Sequence, residues 1–232
     1  MNLKEEYLEE GTVLIKNCLQ NSHFTHIDAI LSKEWNKFSV DNPYNDICAK
    51  FAKSHQGAVT QIYNEVADLI ECVELAKTDN IKFTVQKLLG EKARIYGKIP
   101  LRIDVPLETK ELAVWHQDDF YVQGAPNELT AWIPLQDTPM HMGALSVMKK
   151  SHQTGKLAHK FKWGKKSMPV GVYNLPVNII EMKRGDVLFF NSFLLHTSNI
   201  NFSALIRYSI QIRFTSEELG KPSRIMGKLY DF

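Results

Sequence analysis

Apolar positions along the chain change rhythm near residue 90. Before it they recur every three or four residues, the spacing of one face of a helix. Leu3 to Glu10 reads as a short helix closed by Gly11, and Thr12-Val13-Leu14-Ile15 as a strand rich in β-branched residues. A helix is predicted from about Thr25, with Ile27, Ile30, Leu31 and Trp35 on one face, and helical spacing returns between Asp46 and Lys77 through Ile62, Val66, Ile70 and Val73. Asn80 to Leu89 fits strand or helix equally well.

From Lys92 onward the runs are short and rich in β-branched and aromatic residues: ARIYGK, LRIDVP, LAVWHQD, LTAWIPLQD, GALSVM, then VNIIEMKRGDVLFFNS and ALIRYSIQIRF. Pro100, Pro106, Gly124 to Pro126 and Gly143 separate them. Many short strands at this spacing predict an antiparallel sandwich or barrel. Gln153 to Pro176, with Lys156, Lys160, Lys162, Trp163, Lys165 and Lys166, reads as a long loop or insertion. In the last strand Arg207, Ser209, Gln211 and Arg213 share one face, and Tyr208, Ile210, Ile212 and Phe214 the other. Either the polar face meets water, or helices cover the apolar face and the polar face lines a barrel. The helical sequence before residue 90 favours the second, because those helices need a sheet to cover.

Composition narrows the class. The 232 residues are 44% hydrophobic, enough for a sizeable core. Lys and Arg total 28 against 26 Asp and Glu, a formal +2, so nothing at the level of the whole chain asks for nucleic acid or an anionic membrane. Cys18, Cys48 and Cys72 lack metal-knuckle or redox spacing and read as buried thiols. No apolar stretch approaches a bilayer span, and the acidic start does not resemble a signal peptide, so a cytoplasmic protein is expected.

Two imidazoles and a carboxylate raise the chemistry. His116 and Asp118 stand two apart after the apolar run LAVW, which in extended chain would turn both to one side. Alone, that pair reads equally as a hydrogen-bonded His and Asp. His196 follows a second apolar run, GDVLFFNSFLL. Two His and one carboxylate, with positions left open, are the ligand set of non-haem iron(II) oxygenases. Arg207 comes eleven residues after His196 and opens the alternating strand on its polar face. There a guanidinium could take the distal carboxylate of a dicarboxylic keto acid in a two-pronged pair; without His196 nearby, an arginine on a solvated strand would be the plainer reading. His23 and His26 read as surface residues at a helix start, His55 and His159 have no partner at ligand spacing, and His141 and His152 could border the pocket but read first as hydrogen-bonding residues.

The stretch from His116 to Arg207 resembles the phytanoyl-CoA dioxygenase-like family, a branch of the 2-oxoglutarate oxygenases. The family's H-x-D matches His116 and Asp118, its distal His matches His196, and its Arg eleven residues on matches Arg207. EEYLEEGTVLIKNCL and GALSVMKKSHQTG are similar to further family segments, though Lys149-Lys150 stands where the family often has Pro-Gly. The resemblance implies a mainly β fold with flanking helices, a double-stranded β-helix (jelly roll, cupin-like barrel). It implies one domain over 1–232, with a helical elaboration over about 1–90, a jelly-roll core over about 91–216 and a lid-like insertion over about 153–176. It also implies Fe(II), 2-oxoglutarate as co-substrate, O2, and hydroxylation of a small molecule, with Asp118 arguing against halogenation. Ser198, Trp132 and Gln117 resemble residues beside the co-substrate. The lysines of the insertion suit an anionic substrate, or keep a solvated loop soluble. A non-catalytic metal- or sugar-binding jelly roll and a cupin-type metal-dependent isomerase remain the alternatives.

Overall fold

In the computed structural model, residues 2–66, 69–109, 114–162, 166–169 and 174–232 are described. The chain opens with α1 (Leu3–Glu10), whose first turn is capped reciprocally: Glu5 N donates to the Asn2 side chain and Asn2 N to the Glu5 carboxylate, both at 3.0 Å. Gly11 ends α1 in the left-handed region (φ 77°), and a Cβ there would run into the His152 ring. β1 (Thr12–Ile15) follows, then α2 (Thr25–Asn36), α3 (Asp46–Ser54), α4 (Gln56–Glu65), α5 (Ile70–Ala76) and α6 (Asp79–Leu89). Residues 80–89, ambiguous in sequence, are helical because Ile81, Val85, Leu88 and Leu89 fall on one buried stripe.

The strands are β2 (Ala93–Tyr96), β3 (Leu101–Asp104), β4 (Leu129–Pro134), β5 (Leu145–Met148), β6 (His159–Lys162), β7 (Lys166–Pro169), β8 (Val177–Ile180), β9 (Val187–Asn191), β10 (Leu195–Thr197), β11 (Arg207–Ser216) and β12 (Leu229–Tyr230). A short helix, α7 (Asp118–Val122), precedes β4. A seven-stranded sheet runs β1-β9-β4-β11-β2-β12, with β3 also paired to β11, and a three-stranded sheet runs β10-β5-β8. Every pairing is antiparallel. This is the expected jelly roll.

The large sheet has two unlike faces. Val187, Phe189, Leu129, Ala131, Ile133, Tyr208, Ile210, Ile212 and Phe214 join the helices' Phe24, Ile27, Leu31, Trp35, Ile62, Val73 and Val85 in the main core. The alternation in β11 therefore marks helix-covered apolar positions, and its polar partners point into the barrel. On that inner side Trp132, Leu188 and Phe190 meet Leu145, Val147, Met182 and Leu194 between the sheets.

Two expectations change. The region expected as a long loop contains the β6–β7 hairpin from His159 on, after a 3-10 turn that ends at Thr154, although Trp163, Gly164, Lys165 and Gly171 lie outside the described residues. The extended LAVWHQD run is not extended through Asp118. Part of it lies outside the described residues, His116 makes an isolated bridge to His196, and Asp118 begins α7. Cys18, Cys48 and Cys72 are all free and buried.

Candidate metal centre

His116 and His196 come together because their backbones exchange two hydrogen bonds, His116 N to His196 O at 3.0 Å and the reverse at 3.1 Å. His196 does not end β9, as the sequence suggested. It lies on β10, after a turn at 192–194, opposite Val147 of β5. The two rings sit 4.2 Å apart, with Phe190 packed 4.5 Å from His196 and Tyr121 edge-on at 5.2 Å from His116. Asp118 completes the group: its Oδ1 is 3.8 Å from Nε2 of each histidine. One ligand atom from each of the three residues lies within 4.8 Å of the others, and all three residues are buried.

The second nitrogen of each ring decides what the first can do. His116 Nδ1 faces Val114 O at 2.6 Å and His196 Nδ1 faces Leu194 O at 3.0 Å. A carbonyl only accepts, so each Nδ1 donates to the backbone and each Nε2 is left facing Asp118. Burial pushes the His196 imidazole down to about 3, and the neighbouring His116 adds to that shift. Burial alone would raise the Asp118 carboxyl. Arg213 and the two histidines outweigh it and hold the group well below the usual carboxylate range. The arrangement turns two imidazole nitrogens and one carboxylate oxygen toward one point, where they could serve as donors to a cation.

Register explains how Asp118 is held. Arg213 of β11 lies opposite Thr130 of β4, and Thr130 opposite Phe190 of β9. The three side chains form one inward row beneath the histidines and Asp118. Thr130 Oγ1 donates to Asp118 Oδ2 at 2.6 Å, and Arg213 grips both carboxylate oxygens, Nη2 to Oδ1 at 3.1 Å and Nε to Oδ2 at 3.2 Å. Sequence reasoning placed Arg213 on the polar face of β11 and gave it no role. Its signal, an inward position in the same alternation as Arg207, was present.

Arg207 lies three inward positions further along β11 and is 1% exposed. Its Nη2 is 2.8 Å from Asp104 Oδ2, its Nη1 donates to Gly143 O, and its guanidinium carbon is 5.9 Å from the centre of the Trp132 ring. Burial would raise the Asp104 carboxyl, but Arg207 and Arg102 outweigh that and keep it below its ordinary value. Arg207 Nε and Ser209 Oγ are buried without a hydrogen-bond partner among the described residues. Two orphaned groups on one inward face mark a place prepared for an acceptor.

The remaining expected residues divide. Trp132 is a core residue and also stands beside Arg207. Ser198 is buried just after β10, two residues beyond His196. Gln117, expected beside the co-substrate, makes its side-chain hydrogen bonds to backbone. Its Nε2 donates to Gly155 O at 2.8 Å and to Phe193 O at 2.7 Å, and its Oε1 accepts from Leu157 N at 2.8 Å. Both amide protons are thus committed to backbone carbonyls. In the lysine-rich segment, Lys156 lies 2.8 Å from Asp119 rather than facing an open anion site.

A sequence model of the phytanoyl-CoA dioxygenase family matches residues 7–209. The chain is 28% identical over 178 residues to a 1-deoxypentalenic acid 11-beta-hydroxylase of Streptomyces exfoliatus, covering 66% of this chain and 63% of that protein. It thus spans less than two thirds of the length of that relative. Among solved structures, the non-heme monooxygenase ThoJ superposes with a TM-score of 0.69 at 18% identity, over 95% of this chain and 79% of the other. The epimerase SnoN, in a complex with Fe3+, alpha ketoglutarate and nogalamycin RO, gives 0.63 at 18% identity, over 92% and 82%. At that identity the likeness to the two structures is one of fold.

Proposed function

The chain belongs to the phytanoyl-CoA dioxygenase family, and on that premise we propose that it is an Fe(II)- and 2-oxoglutarate-dependent oxygenase that hydroxylates a small molecule. The observation that carries the reading is the convergence of His116 Nε2, His196 Nε2 and Asp118 Oδ1 on one point, with each histidine's Nδ1 turned to a backbone carbonyl. Two imidazoles and one carboxylate suit iron(II) and leave coordination positions open, unlike a closed structural zinc set. The orphaned Arg207 Nε and Ser209 Oγ suit a second group, the distal carboxylate of 2-oxoglutarate.

When bound, iron and 2-oxoglutarate together supply the oxidative chemistry with O2, releasing succinate and CO2. The chain's own residues do the rest. His116, Asp118 and His196 would hold the metal. Thr130 and Arg213 keep Asp118 ionised and aimed. Arg207 is prearranged by Asp104 and Gly143 and flanked by Trp132, so it meets a carboxylate without reorganisation. Leu188, Phe190, Leu145 and Val147 exclude water from the space between the sheets. The substrate is a small organic molecule, as the names of the relatives indicate for those proteins.

Anaerobic addition of Fe(II) and 2-oxoglutarate tests this directly. A weak visible charge-transfer band is expected in the wild type, weakened in Arg207→Ala and absent in His196→Ala. An unaltered band in both variants rules the assignment out, and succinate release in air reports turnover.

A further inference from the structure

The middle residue of the H-x-D segment makes three side-chain hydrogen bonds beside the site, and the ligand set does not use it. Gln117 is fully buried. Its amide joins three separate pieces of chain: the segment bearing His116 and Asp118, the turn before His196 through Phe193 O, and the foot of the β6–β7 hairpin through Gly155 O and Leu157 N. The neighbours repeat the connection. Gln117 N donates to His159 Nε2 at 3.2 Å, and His159 Nδ1 is 2.8 Å from Leu157 O. The His159 ring stacks on Phe120 at 4.6 Å and 18°. Lys156 reaches Asp119, and Asp119 N donates to Ser192 O at 3.1 Å.

We propose that Gln117 is a positioning residue for the metal centre: its side-chain amide locks the two ligand-bearing segments and residues 155–159 into one unit, so that the hairpin foot and the three donor atoms hold each other in place. The physical reason is the side chain's full use. Two donors and one acceptor, buried, have nowhere else to go, and each bond lost leaves a stranded carbonyl or amide beside the ligands. Groups that hydrogen-bond a metal ligand directly commonly change metal affinity by about 10- to 100-fold when removed; Gln117 acts through the backbone on either side of the ligands, so the lower end of that range is expected. Coupling is reciprocal, so if 155–159 steadies the ligands, a metal on the ligands must steady 155–159.

The inference rests on the oxygenase reading only for the metal site, and Co(II) serves as a probe without turnover. Wild-type protein is titrated with Co(II) by visible absorption, and hydrogen exchange at residues 155–159 is followed with and without the metal. Exchange at the Leu157 amide is expected to slow roughly tenfold on metal binding, within the usual range of coupling between sites. Gln117→Met keeps the side chain's bulk and removes its hydrogen bonds; it should weaken Co(II) binding about tenfold or more and abolish the change at Leu157. Wild-type uptake of Co(II) with no change at Leu157 overturns the inference alone. So does a Gln117→Met variant that binds Co(II) like the wild type, since packing would then suffice. Failure of wild-type protein to take up Co(II), or uptake unaltered by His196→Ala, would sink the metal site and this inference with it. The wild-type exchange measurement stands even if the variant does not fold.

Discussion

Arg213 and Asp118 form a two-point ion pair inside the barrel, with both side chains almost wholly buried. The pair exists because Arg213 is the register partner of Thr130, the residue that also donates to Asp118. Removing the guanidinium leaves a buried carboxylate without its main counter-charge, a change that typically costs about 3–5 kcal/mol. Arg213→Gln should therefore lower the Tm of the metal-free protein. A divalent cation at the triad would restore the missing charge, so Mn(II) should raise the Tm of Arg213→Gln by more than it raises that of the wild type. An equal or smaller rise in the variant would mean that Arg213 does not balance Asp118.

Legibility in the sequence followed the range of the interaction. The alternation of Arg207 to Phe214 predicted which face helices would cover, because period-two patterning is local and burial enforces it. His116, Asp118, His196 and Arg207 were readable as residue types in an order. Which inward residue would meet Asp118 was not readable, since it depends on the register of β11 against β4, two strands about eighty residues apart in sequence. The hydrogen bonds of Gln117 were not readable for the same reason: its partners Gly155, Leu157 and Phe193 are distant in the chain. The helix at 79–89 went undecided because short apolar runs carry little period information. Tertiary packing settled it.

Arg207 and Ser209 predict a separation between metal and co-substrate binding. Lys at 207 keeps a charge but cannot form the two-pronged pair. Arg207→Lys should weaken 2-oxoglutarate binding to the metal-loaded protein by about tenfold, the effect of roughly 1.4 kcal/mol, with the Co(II) titration unchanged. Ser209 Oγ has no partner among the described residues. Removing a buried hydroxyl with no partner relieves a desolvation cost, so Ser209→Ala should not destabilise the apo protein and should still reduce 2-oxoglutarate affinity. A loss confined to Co(II) binding would put Arg207 in the wrong role.

His196 gives the metal-free protein a pH dependence. Its imidazole falls from 6.5 in the unfolded chain to about 3 when buried. Between those values the unfolded chain holds a proton that the folded protein does not, so stability is highest above 6.5 and falls as pH drops through the window. One such group contributes a slope of about 1.4 kcal/mol per pH unit. Urea midpoints measured from pH 7 to 5 in the presence of EDTA should decline, and His196→Gln should remove a large part of that decline. Parallel curves for the two proteins would show that His196 is protonated as readily folded as unfolded.

Gly143 ties the backbone to the anchor for the co-substrate. It sits in the left-handed region at φ 81°, and its carbonyl accepts from Arg207 Nη1. A Cβ at this position would lie 2.5 Å from Asn199 O and 3.1 Å from Arg207 Nη1. The nearer clash is with backbone and cannot be relieved by a rotamer change. The positive φ adds a cost of order 1 kcal/mol for any L-residue. Gly143→Ala must therefore move the 143 turn away from Asn199, and with it the carbonyl that orients Arg207. The expected result is a lower Tm together with a several-fold weaker 2-oxoglutarate complex, while Co(II) binding stays near the wild-type value, because Gly143 touches none of His116, Asp118 and His196. If Gly143→Ala lowers the Tm but binds 2-oxoglutarate normally, the turn serves only the fold and Arg207 is oriented by Asp104 alone.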